Sequence, residues 1–137
     1  MERTLLNIKP DAVERNLIGE ILRRVEAKGY RIVALNKIWL SEREVEAFYE
    51  IHRDKPFFKD LVRFISSGPC IPCVVEGENV IEGIRDLIGA TDPAKAAEGT
   101  VRRDFAESIT RNSVHASDGP ETAKTEIQFF FQARTLV

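Results

Sequence analysis

Leu17, Ile18, Ile21, Leu22 and Val25 recur at the three- and four-residue spacing of one helix face, with Gly29 placed where a helix stops. Ahead of this stripe, residues 3–8 carry Leu5, Leu6 and Ile8 in a short apolar run and predict a first strand. Lys9, Pro10 and Asp11 end it with a turn, because proline lacks the N–H that a strand ladder needs. Residues 31–40 are β-rich and predict a second strand. Ser41 and Glu44 then form a capping box that opens a helix through Val45, Phe48, Tyr49 and His52, interrupted by Pro56. A further short helix puts Phe58, Leu61, Val62 and Ile65 on one face and stops at Gly68 and Pro69.

Residues 70–76 predict a third strand, in which Pro72 should force a bulge. Asn79 is the expected cap of a helix carrying Val80, Ile81, Ile84 and Leu87 and closed by Gly89. Residues 90–112 hold no sustained period and include Pro93 and Gly99, which is long for a connection and typical of a functional loop. A brief last strand over 112–115 leads to a helix started by Pro120, with Ala123, Ile127, Phe130 and Phe131. Alternating strands and helices fit an α/β or α+β layer structure, expected as one domain over 1–137, and the alternation alone leans toward a parallel, doubly wound sheet.

Composition narrows the function. With 43% apolar residues in 137 the chain has material for a real core, and a formal charge of -2 gives no basic field for dedicated nucleic-acid binding. No apolar run reaches the length of a membrane span, and the run at the start is too short for a secretory core, so a soluble, cytoplasmic protein with no membrane partner is expected. Two cysteines and two histidines are too few for a disulfide scaffold or a structural zinc site. Cys70 and Cys73 have the spacing of a redox pair, but such pairs open helices. In a strand the two side chains face opposite ways, as small core residues.

Neither a GxxxxGK loop nor a GxGxxG fingerprint is present, so any phosphate must be held by side chains. The chemistry concentrates in Asn112, Ser113, Val114, His115, Ala116, Ser117 and Asp118, between a strand and a helix. An imidazole becomes a nucleophile when one nitrogen is free and an acceptor holds the other. Glu126, beside core-facing Ile127, is the candidate acceptor together with Ser117; the alternative is a solvated helix glutamate.

That segment resembles the NxxHGSD active-site motif of nucleoside diphosphate kinases. So do the blocks from Ile8 to Val13, Lys55 to Phe58, Ser67 to Pro69, Glu76 to Asn79 and Ile88 to Pro93, in family order over essentially the whole chain. The resemblance implies an α+β, ferredoxin-like βαββαβ sandwich with a four-stranded antiparallel sheet covered by helices, and overrules the parallel lean. It implies transfer of a terminal phosphate between nucleoside tri- and diphosphates by double displacement through a phosphohistidine at His115, maintaining nucleotide pools. Lys9, Arg85, Arg102 and Thr91 match phosphate-binding positions. Tyr49 matches a position beside the histidine, Asn112 one that reaches the sugar, and Phe57 and Leu61 those that sandwich the base. Stacking tolerates any base, so broad specificity follows. Phe58 fits the helical stripe better than Phe57, which leaves Phe57 to the ligand. Mg2+ is expected on the nucleotide phosphates, with no protein metal ligand, and the family implies a homo-oligomer, a tetramer or hexamer built from dimers.

Two departures are visible. Ala116 stands where glycine is usual, which would strain a backbone angle open only to glycine. Arg103 stands where a small residue is usual and is expected to face water. The rival readings are a catalytically silent binding or scaffold protein of the same family, which loss of His115 or Lys9 would have favoured, and a ferredoxin-like RNA module, whose strand aromatics and basic flanks are missing.

Overall fold

The structure is a computed structural model and describes residues 1–131; the end of the expected domain, 132–137, lies outside the described residues. The apolar run Glu2–Ile8 forms β1. It pairs antiparallel with β3 (Ile71–Gly77) on one side and β4 (Val114–Ala116) on the other. β2 (Arg31–Leu35) joins the free edge of β3, giving the order β2-β3-β1-β4 with every pairing antiparallel. This is the α+β, four-stranded arrangement the resemblance implies. The parallel lean of the bare pattern fails because β3 comes between β1 and β2. A hydrophobic period records which face is buried, not which strand lies alongside.

Seven helices accompany the sheet among the described residues: α1 (Pro10–Glu14), α2 (Ile18–Ala27), α3 (Glu42–Phe48), α4 (Phe58–Ile65), α5 (Val80–Ile88), α6 (Val101–Phe105) and α7 (Pro120–Phe130). On one sheet face Leu6, Ile8, Cys73, Val75, Val114 and Ala116 pack against Ile21 and Val25 of α2 and Val80, Ile84 and Ile88 of α5. On the other face Leu5, Val33 and Val74 meet Ile127 of α7. Nearby, Cys70 lies with Val45, Tyr49, Phe58, Val62 and Ile65 around α3 and α4. The cysteines therefore occupy opposite faces as free, buried thiols, and burial pushes Cys70 up to about 11 and Cys73 up to about 12. Since strand side chains alternate, His115 between Val114 and Ala116 points to the α3 and α7 side. That alternation positions the site.

Several boundaries differ from the sequence expectation. The turn expected at Lys9 is followed at once by α1, with Pro10 in its first turn, where a helix has no partner for an N–H anyway. The bulge expected at Pro72 is absent: the β1–β3 register runs through Asn7 and Pro72 without a break, and the irregularity falls in β2 between Ile32 and Ala34. The Pro72 carbonyl accepts the Asn36 N–H at 3.1 Å, so the proline nitrogen faces Asn36 as well. Its missing donor trims β2 at Leu35 rather than the expected 40, and pairing resumes only as a single bridge between Ile38 and Cys70.

The helix expected to run through His52 stops at Phe48 and continues as a 3-10 turn, Glu50–His52. Asn79 is not a side-chain cap. It sits in the left-handed region at φ 50°, and the Ile81 N–H is met instead by Glu2 Oε1 at 3.3 Å. The 90–112 stretch is not irregular throughout: Asp92 caps a 3-10 turn at Pro93–Lys95 and Thr100 caps α6. These elements are too short to display a period. Among the described residues no helix is long and apolar enough to cross a membrane.

Candidate active site

His115 Nε2 lies 3.0 Å from both carboxylate oxygens of Glu126, which stands in α7. A carboxylate only accepts, so Nε2 carries the proton and Nδ1 keeps its lone pair. Among the described residues no hydrogen bond takes up Nδ1. The Ser117 hydroxyl donates to Glu126 Oε1 at 2.6 Å and makes no hydrogen bond to the ring, so it fixes the carboxylate rather than the imidazole itself. Phe48 and Tyr49, from the end of α3, meet the imidazole edge-on with centroids 5.4 and 5.9 Å away. Burial, reinforced by the Glu126 carboxylate, raises the Tyr49 phenol well above its ordinary value and keeps it a neutral donor.

The ring opens into a cleft of about 550 Å³ that Lys9, Arg85, Arg102, Thr91, Asn112, Tyr49, Phe57, Leu61 and Glu126 also line. Of the site residues expected from sequence only Ser117, behind Glu126, is not on this wall. Lys9, at the end of β1, is 5% exposed; its ammonium donates to Asn112 Oδ1 at 2.6 Å and to the Thr110 carbonyl at 3.2 Å. Burial pushes it down to about 8, with Asp11 opposing that fall and Arg102 adding to it.

Arg102 is spread between the Gly89 and Val114 carbonyls at 3.0 and 2.8 Å, and its buried Nε has no partner. Burial, then Arg85, lowers it to about 10. Gly89 has φ +87°, and a Cβ there would stand 2.6 Å from Thr100 Oγ1, so only glycine turns this carbonyl onto Arg102. Arg85, in the last turn of α5, reaches the Ala116 carbonyl at 3.4 Å. Asn112 donates to the Thr91 carbonyl at 3.2 Å, tying the two sides of the cleft.

At the mouth Phe57 is 46% exposed while Phe58 is 7% exposed and packs into the α3–α4 cluster, as the helical stripe requires. Ile109 and His52 stand at the same mouth and were missed by the sequence reading, as was Phe48 against the imidazole. An isolated isoleucine in a polar loop was the available signal for Ile109. Asp11 was read as part of a turn and of the block from Ile8 to Val13 and given no role, yet it is fully buried and its Oδ2 accepts the Ser113 N–H at 3.0 Å.

The departures resolve locally. Ala116 keeps strand backbone; the left-handed residue of the segment is Ser113, at φ 76°. Arg103 is exposed but does not simply face water, since it donates to the Ala94 and Ala96 carbonyls at 3.2 and 3.5 Å.

The donor set of the cleft suits phosphate better than a metal. Its carboxylates are Glu126, occupied by His115 and Ser117, and Asp118, which accepts from Thr122 at 2.6 Å. Among the described residues no three His, Cys, Asp or Glu side chains gather as ligands. A divalent cation would find no dedicated ligand cage among these described groups.

A family model described as nucleoside diphosphate kinase matches residues 2–136. The chain is 56% identical over 131 residues to the nucleoside diphosphate kinase of Dechloromonas aromatica, covering 96% of this chain and 92% of that one. It is 57% identical over 131 residues to that of Nitrosospira multiformis, covering 96% and 93%. Among solved structures, a crystal form of the Aquifex aeolicus nucleoside diphosphate kinase superposes with a TM-score of 0.96 at 42% identity, covering 99% of both chains.

Proposed function

The chain belongs to the nucleoside diphosphate kinase family of phosphotransferases, and on that premise we propose that it transfers a terminal phosphate between nucleotides through a phosphohistidine at His115. The observation that carries this reading is the imidazole itself: Nε2 is held by Glu126 while Nδ1 has no partner among the described residues, in a cleft edged by three cations.

The Nδ1 lone pair attacks the terminal phosphorus of a nucleoside triphosphate in line. The N–P bond forms as the bond to the bridging oxygen breaks, and the electron pair leaves with the nucleoside diphosphate. A second diphosphate then attacks the phosphohistidine by the reverse step. Glu126 keeps the Nε2 proton in place throughout and offsets the positive charge the ring acquires. Lys9, Arg85 and Arg102, with the Thr91 hydroxyl, face the charge that develops on the phosphoryl oxygens. Tyr49 orients the ring edge-on, Asn112 is disposed toward the sugar, and Phe57 with Leu61 holds the base by stacking, which accommodates purines and pyrimidines alike. Mg2+ carried in on the nucleotide phosphates would supply further charge neutralisation.

We also infer a single domain over 1–137, a cytoplasmic location, maintenance of nucleoside triphosphate pools, and a homo-oligomer, tetramer or hexamer, built from dimers. Family membership supports these readings.

Incubation with terminally labelled ATP tests the mechanism. Label should enter the protein, be acid-labile, and leave on addition of any nucleoside diphosphate; His115→Ala should take up none. Retained labelling in that variant would refute the assignment.

A further inference from the structure

His52 lines the cleft but has no part in the mechanism above, and its contacts there are with rings. Its plane lies 27° from that of Tyr49 with centroids 6.3 Å apart, and it meets Phe57 at 55° with centroids 5.6 Å apart. The helix expected to carry Tyr49 and His52 together ends at Phe48, and His52 closes the 3-10 turn Glu50–His52. In a 3-10 turn side chains three apart eclipse, whereas in an α-helix they are offset by about 60°. The tighter turn therefore sets His52 over Tyr49, its third neighbour back, and the His52 N–H donates to the Tyr49 carbonyl at 2.8 Å.

The two neighbours differ in how firmly they are held. Tyr49 is buried in the cluster around α3 and α4 and is a fixed surface. Phe57 is half exposed at the mouth, and His52 is its one aromatic neighbour among the described residues. An exposed side chain that must take one attitude to receive a ligand costs affinity each time it is ordered, and a neighbour that orders it beforehand removes that cost. We propose that His52 is a positioning residue for the nucleoside base: set on Tyr49 by the 3-10 turn, its ring holds Phe57 in the attitude that stacks on the base. This rests on the reading of Phe57 as the base-binding ring and of His115 as the nucleophile. The Lys55 N–H donates to the His52 carbonyl at 2.9 Å and the Phe58 N–H to the Lys55 carbonyl at 3.1 Å, which keeps the connection between the two rings short and closed.

The test compares two terminally labelled phosphate donors, ATP and ribose triphosphate, which keeps the sugar and the phosphates but lacks a base. For each donor kcat/KM for phosphate transfer is measured in wild type, His52→Leu, His52→Phe, Phe57→Ala and the variant that joins His52→Leu to Phe57→Ala. The ratio of the ATP value to the base-free value reports the base site alone, because a general loss of structure or of nucleophile orientation lowers both. In His52→Leu that ratio should fall about two- to tenfold, the worth of one aromatic pair. Phenylalanine keeps a ring against Tyr49 and Phe57 without the two nitrogens, and His52→Phe should restore the ratio. Once Phe57 is replaced by alanine, His52→Leu should leave the ratio where it stands.

An unmoved ratio in His52→Leu, no recovery in His52→Phe, or a further fall of the same size in the Phe57→Ala background would overturn the proposal while leaving transfer through His115 intact. An unchanged ratio in Phe57→Ala would instead bring down the base-site reading beneath it, and the proposal with it. Absence of transfer in wild type, or its persistence in His115→Ala, would bring down the nucleophile. Should His52→Leu not fold, His52→Gln, which also lacks a ring, takes its place with the same expected fall. An unmoved ratio there would overturn the proposal equally.

Discussion

Lys9→Met should show how much stability the fold gives up to hold a cation in the cleft. The Lys9 ammonium is held at about 8 against an ordinary 10.5, and burial is the largest cause. At about 1.4 kcal/mol per pKa unit this corresponds to roughly 3 kcal/mol of penalty on the charged form. The folded-state value lies below the unfolded one, so the native state releases its proton first as pH rises. The unfolded chain then binds more protons between about 8 and 10.5, and stability rises with pH across that window. Below pH 8 the penalty is borne in full.

Methionine removes the charge but strands Asn112 Oδ1, at a cost of about 1–3 kcal/mol that does not depend on pH. The stability difference between variant and wild type is consequently the informative quantity. Measured by urea unfolding without nucleotide at fixed protein concentration, it should shift against the variant by about 2 kcal/mol between pH 7 and pH 9.5. Groups common to both proteins cancel from it. A difference constant to within about 0.5 kcal/mol would refute the assignment of a desolvated lysine.

Glu126→Gln should lower kcat by about 10²–10⁴ with little change in KM, because the amide can donate to Nε2 and so move the imidazole proton to Nδ1; steady-state kinetics with the labelling assay checks this, and unchanged labelling would contradict the tautomer argument. Gly83→Ala should destabilise the fold by about 1–3 kcal/mol, since a Cβ there would clash with the Tyr30 hydroxyl and the end of its ring. Thermal unfolding measures it, and Tyr30→Phe in the same background should recover part of the loss.

Much of the site was legible in the residues. His115 stands in a brief strand ahead of a helix that Pro120 starts, so Glu126, two turns in and next to buried Ile127, could be singled out as a candidate partner, though its contact with the ring came only from the structure. Phe58 completes an apolar stripe and Phe57 does not, which separates a core aromatic from an exposed one without any structure. Other features were not legible. Thr100 caps a helix of five residues, too short to carry a period, so the segment that delivers Arg102 reads as loop. Pro72 was rightly seen as a missing donor, but which neighbour loses the bond depends on which way its carbonyl points, and the loss fell on β2.

The sequence by itself determined the faces: which side of the longer strands and helices is buried, roughly where those elements lie, and, through its motifs, the family whose fold and chemistry it resembles. These are local properties, set by side-chain period and by backbone preferences of a few residues. The tertiary structure alone decided the partners. The order β2-β3-β1-β4 joins strands far apart in the chain, and the Asp11 bond to Ser113 and the Lys9 bond to Asn112 each span about a hundred residues. Such contacts depend on burial, charge and geometry contributed by every element around them, and no local pattern encodes them.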